Sequence, residues 1–102
     1  MEKHVPHYDL ATIKADVARL GAAAFTRSAL DGGRKLGLST RAMIRVILSM
    51  ERAQFYKSMT THGDHRVWQD VYHPAAPDGT ALYVKVTYRG PERPPVISFK
   101  EK

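Results

Sequence analysis

Ala81–Tyr88 reads ALYVKVTY, and its alternation decides the fold. Leu82, Val84, Val86 and Tyr88 take every second position, with Ala81, Tyr83, Lys85 and Thr87 between them. Successive side chains of a strand point to opposite faces, so this stretch is a half-buried strand with one apolar face. Val96–Lys102 (VISFKEK) repeats the pattern, with Ile97 and Phe99 alternating with Val96, Ser98 and Lys100. The period of two begins at Phe55. Turn signals separate the runs at His62-Gly63-Asp64, Pro74–Gly79 and Gly90–Pro95.

Upstream of Phe55 the spacing is helical. Leu10, Ile13, Val17 and Leu20 follow Asp9, a good N-cap, and Gly21 stops the helix. Ala22–Phe25 reads as a short extended link. Thr26 opens a second helix through Leu30 towards Lys35, weakened by Gly32-Gly33 and ended by Gly37. Ser39 caps a third, with Met43, Ile44, Ile47 and Leu48 as its apolar stripe and Arg41, Arg45 and Arg52 facing solvent. Helices first and strands second predict an α+β domain: N-terminal helices packed on a mainly antiparallel sheet built by the C-terminal half. Residues 1–102 form one domain with one core. The sheet's other face is then left to carry polar chemistry.

Composition narrows the function classes. An apolar content of 43% and a charged content of 25% are those of an ordinary globular protein. No apolar run approaches the length of a membrane span, and MEKHVPHYD lacks a signal peptide's hydrophobic region, so a cytoplasmic protein without membrane contact is expected. The absence of cysteine excludes disulfides and thiolate metal sites. His4, His7, His62 and His73 do not stand at helical metal spacing, and neither a metal nor another cofactor is expected. Gly32-Gly33 is too isolated to form a phosphate loop. Sixteen Lys and Arg against ten Asp and Glu leave a charge of +6, which favours a nucleic acid ahead of a membrane surface.

Phe55–Pro74 (FYKSMTTHGDHRVWQDVYHP) concentrates lysine, histidines, glutamine, hydroxyls and aromatics without a metal-binding pattern. Alternation places Tyr83 and Lys85, and Ser98 and Lys100, on the open face of the sheet. Lys57 and Gln69 come from the strands flanking the His62–Arg66 turn, where their same-parity neighbours are apolar. Two lysines, a tyrosine and a glutamine on one face suit metal-free RNA cleavage. That reaction takes a proton from the 2′-OH, stabilises phosphorane charge and returns a proton to the 5′-oxygen. A lysine acts as base only when burial or positive neighbours lower its pKa, and two nearby lysines push that way. His65, beside Asp64, is a further acid–base and RNA-binding candidate, with Lys85 and Lys102 as phosphate contacts. A strand lysine on its own is usually a solvated charge. Tyr72 and Tyr88 read as packing residues, and Trp68 as a core aromatic or a base-stacking one.

FYKSMTT, WQDVY and SFKEK occur in this order together with MEKHVPH, Thr26–Leu30 (TRSAL) and Leu36–Leu38 (LGL). In this combination the whole chain resembles the motility quorum-sensing regulator (MqsR) family of toxins. The resemblance implies a RelE-like fold and the toxin of a type II toxin–antitoxin system. It also implies metal-independent cleavage of messenger RNA at GCU-like sites, which inhibits translation. The implied partner is an MqsA-like antitoxin, typically a zinc-binding protein that also binds operator DNA, so that the toxin reaches DNA only through the complex. The family's lysine in FYKSM, glutamine in WQD, tyrosine in YVK and lysine in SFKEK correspond to Lys57, Gln69, Tyr83 and Lys100. One lysine would handle protons while the other steadies phosphate. Tyr83 would hydrogen-bond phosphate or act as acid, and Gln69 would orient the nucleotide. Ala75–Gly79 and Gly90–Pro95 look longer and richer in proline than the family pattern. The rival reading is a non-catalytic basic module that docks a nucleic-acid backbone or a protein.

Overall fold

Five strands build a single antiparallel sheet in spatial order β1 to β5: β1 (Glu2–Lys3), β2 (Phe55–Thr60), β3 (Trp68–Tyr72), β4 (Leu82–Tyr88) and β5 (Pro95–Glu101). This is seen in a computed structural model that describes residues 1–102. Three helices, α1 (Leu10–Leu20), α2 (Arg27–Lys35) and α3 (Thr40–Ser49), pack on the sheet. The α+β architecture read from the alternation is present. Each helix starts at the cap the sequence indicates: Asp9 accepts from Thr12 N–H, Thr26 Oγ1 from Ala29 N–H and Ser39 Oγ from Ala42 N–H.

The apolar face of the strands meets the helices. Leu82, Val84, Val86, Ile97 and Phe99 bury against Ile13, Val17, Met43, Val46, Ile47 and Met50. Helix α2 crosses close to α3 at Gly33, where an added Cβ would fall 2.2 Å from Met43 Sδ. The glycine is there for the close approach, at the cost of helix propensity.

Three local expectations need correction. Gly21–Ala24 is a 3₁₀ turn rather than an extended link; only Phe25 is extended, bridging to Ile97. In α3 the buried positions are Met43, Val46 and Ile47, with Met50 after its end, whereas Leu48 is 39% exposed. Spacings of three, four and seven residues from Met43 keep to one helix face, and Leu48 falls outside it. Arg52 starts a separate 3₁₀ turn, Arg52–Gln54, and lays its guanidinium 4.9 Å from the Phe55 ring centroid.

Strand β1 has too few residues to show any period and was not anticipated. It is positioned by the chain that follows it. The buried Asp70 carboxylate accepts from His7 N–H, Tyr8 N–H and the Ser58 hydroxyl, the last at 2.6 Å. One carboxylate in the middle of β3 thus ties the N-terminal segment to the sheet.

Candidate active site

Strand register settles which side chains share the open face, because directly opposed residues point the same way. Three rows cross it. Met59, Gln69, Thr87 and Val96 form the first, and Lys57, Val71, Lys85 and Ser98 the second. In the third, Tyr83 opposes Lys100 on β5, and on the other side its ring lies 5.5 Å from His73. Lys57, Gln69, Tyr83, Lys85 and Lys100 therefore all occupy one face of the sheet. Gln69 stands two rows from Tyr83, about 13 Å along the strands.

Lys57 reaches this face through a β-bulge. The register slips between Phe55 and Lys57, so Tyr56 is an extra residue on β2. Strict alternation would put Phe55 and Lys57 on one side. The bulge sends Phe55 into the core, against Tyr72, and Lys57 outward. Val71 is completely buried yet outside the helix-side core; it lies between Lys57 and Lys85 in the second row. The aliphatic stems of those lysines can cover it while their charges stay in water.

The electrostatics of Lys57 differ from the expectation. Its ammonium donates to Glu2 Oε1 at 2.6 Å, and the Lys57 side chain is only 21% exposed. The hydrogen bond to Glu2, with its charge, raises the lysine pKa, while the ammonium lowers that of Glu2. Neighbouring lysines do not prevail, because a carboxylate from β1 is closer than any of them. Lys57 stays charged. The molecule's ion pairs use Asp16, Asp31, Glu2 and Asp64, and Lys100 joins none of them. Instead its ammonium sits 5.3 Å from the Tyr83 ring centroid.

An aromatic row that the sequence reading missed runs beside these groups. Tyr56, made prominent by the bulge and half exposed, stacks on His73 at 4.6 Å, and His73 tilts against Tyr83. His73 Nε2 is buried without a partner. Burial first, and then the charge of Lys102, push the His73 pKa down, so its ring is neutral. Lys102 is held at this end by its N–H on the Ala81 carbonyl. The only advance signal for the row was YHP following a strand.

At the β5 edge, Tyr83, Lys85, Ser98 and Lys100 face the first turns of α2 across a cleft of about 240 Å³. Thr26, Ser28 and Gly32 form its other wall. The proline-rich loops lie elsewhere: Gly90–Pro94 lines a hollow with α1, and Ala75 and Pro77 line one with α3.

Two candidates are not brought in. His65 is exposed in the β2–β3 connection, beyond Gln69 and at the end of the sheet remote from Tyr83 and Lys100. Trp68 points to the helix side, where His7 stacks on it at 5.3 Å and Lys3 lies 4.2 Å from its ring. It is no platform for a base on the open face.

Comparison with known proteins gives the family. Residues 5–101 match the family model described as motility quorum-sensing regulator, toxin of MqsA. The chain is 42% identical, over the full length of both proteins, to the mRNA interferase toxin MqsR of Escherichia coli (strain K12). A match over nearly all of the chain and a full-length relative of this identity show the family: the chain belongs to the MqsR toxin family.

Proposed function

We propose that this protein is the toxin of a type II toxin–antitoxin system, an endoribonuclease that cleaves messenger RNA without a metal and so stops translation. The observation that carries this reading is the gathering of Lys57, Gln69, Tyr83 and Lys100 on one open face of a basic domain. The name of the E. coli relative supports it. The groups divide the work by their surroundings. Lys57, kept charged by Glu2, stabilises the phosphorane. Lys100, which has no carboxylate partner, handles the proton, and Tyr83 beside it donates a hydrogen bond to phosphate or to the leaving oxygen. Gln69, two rows away, orients a neighbouring nucleotide. Cleavage at GCU-like sites, action in the cytoplasm and inhibition by an MqsA-type antitoxin complete the reading, the last supported by the family's description.

The test is incubation of purified protein with a defined RNA containing GCU, in excess EDTA. Site-selective products ending in 2′,3′-cyclic phosphate are expected. Binding without cleavage would instead show a docking module. Co-purification with the product of the neighbouring open reading frame tests the partner.

A further inference from the structure

The N-terminal strand places a carboxylate on the reactive face, and its anchoring is more extensive than two residues of sheet require. Glu2 opposes Met59 and Lys3 opposes Ser58. The Met1 ammonium donates to Thr60 Oγ1, and Thr60 N–H donates to the Met1 carbonyl, each at 3.0 Å. On the helix side, Lys3 Nζ donates to His7 Nδ1 at 2.8 Å, while His7 and Tyr8 hang on Asp70. Glu2 is thus fixed from both flanks. Its contact with Lys57 is half open to water on the carboxylate side, and such a pair contributes little to folding. Stability does not explain it.

Geometry does. Glu2 stands on the outer, β1 side of Lys57, whereas Val71, Lys85 and Ser98 extend the row inward across the sheet. An ammonium has three donors; with one held from the outside, the others are free to face inward. We propose that Glu2 is a positioning residue of this active site, a carboxylate from the N-terminal strand that holds the Lys57 ammonium for the RNA phosphate. The inference rests on the ribonuclease reading given above. Glu2 is faced by Lys57, with His4 and the Met1 ammonium on its own segment. Lys57 is faced by Glu2, by Tyr56 on β2 and by Tyr83 on β4. Lys85 lies two strands away in the same row.

The experiment compares the wild-type chain with Glu2→Gln and Glu2→Asp. Loss of a charge-assisted hydrogen bond should lower kcat of Glu2→Gln on the order of tenfold. KM should not rise, since an anion has been removed from the path of an anionic substrate. The basic limb of the pH–rate profile should move to lower pH, because Lys57 gives up its proton more readily. Glu2→Asp should recover most of the loss. Side-chain NMR of Lys57 provides a readout that needs no activity: its titration midpoint should fall in Glu2→Gln. Wild-type kcat and pH profile in Glu2→Gln, or an unchanged Lys57 titration, would overturn the inference. Equal losses in Gln and Asp accompanied by a lower melting temperature would overturn it too, by showing a structural role. If wild-type protein does not cut RNA, the ribonuclease reading fails by itself, and the Lys57 titration still decides whether Glu2 holds the ammonium.

Discussion

Tyr83 and Lys100 are directly opposed on β4 and β5, and the lysine ammonium lies 5.3 Å from the centre of the tyrosine ring. The ring faces a cation on one side and His73 on the other, so its hydroxyl has a fixed direction. Tyr83→Phe keeps both ring contacts and removes only the hydroxyl. It should melt within about 2 °C of wild type, as a surface change does, while losing most of its cleavage. An unaltered rate in this variant would remove the hydroxyl from the mechanism.

The two lysines are predicted to differ. Alanine at either Lys57 or Lys100 should abolish most cleavage without unfolding the protein, because both lie on the open face away from the helix-side core. Arginine separates them. Lys57→Arg keeps a permanent charge for Glu2 and phosphate and should retain more activity than Lys100→Arg, whose guanidinium does not exchange a proton. Single-turnover rates for the four variants check this, and the reverse order would exchange the assigned roles.

Asp70 is predicted to be the main polar support of the fold. Asp70→Ala leaves two backbone N–H groups without their acceptor and the buried Ser58 hydroxyl with only the Gln69 carbonyl, at 3.3 Å. The cost should be about 3 kcal/mol or more, a fall of roughly 12 °C in melting temperature for a domain of this size. The variant should also free the N-terminal segment, visible as faster amide exchange at Lys3 and His7. Calorimetry and exchange together test the claim.

Acid sensitivity is predicted at Asp16. Its carboxylate accepts from the Tyr88 hydroxyl at 2.7 Å and from Arg19 at 3.1 Å. Those bonds, Tyr88 first, hold its pKa below the ordinary 3.8. A group whose folded pKa is depressed stabilises the protein above its unfolded pKa, and that stabilisation fades as pH falls through the folded value. Asp16→Asn should therefore cost about 1 kcal/mol near neutrality, with the gap to wild type closing below pH 3.8. Urea unfolding of both proteins across pH 2.5 to 7 would show it, and a constant gap would contradict it.

RNA affinity should depend on salt through the same face. If Lys57, Lys85, Lys100 and Lys102 neutralise four phosphates, binding of a 2′-deoxy analogue should fall with a logarithmic slope of about −2.8. Lys85→Ala should reduce that slope by about 0.7. A flat salt titration would exclude a basic groove.

Much of this structure was readable in advance, for local reasons. Asp9, Thr26 and Ser39 cap their helices through contacts three residues long, and the alternation in β4 and β5 is strict enough to assign Tyr83, Lys85, Ser98 and Lys100 to one face. Lys57 was harder, since one extra residue at Tyr56 reverses its parity and no composition rule announces a bulge. Glu2 was hidden because a two-residue strand has no period and its partner lies 55 positions away. The neutral His73 and the buried Asp70 depend on neighbours that only the folded sheet brings together.

Substituting a single 2′-deoxyribose at the cleaved nucleotide of a defined RNA, with EDTA present, tests the central claim most directly. The account predicts that wild-type protein binds this RNA as it binds the unmodified strand and leaves that position uncut, since no 2′-OH is present to attack the phosphate. Cleavage at the modified position, at a rate near that of the all-ribose strand, would contradict it.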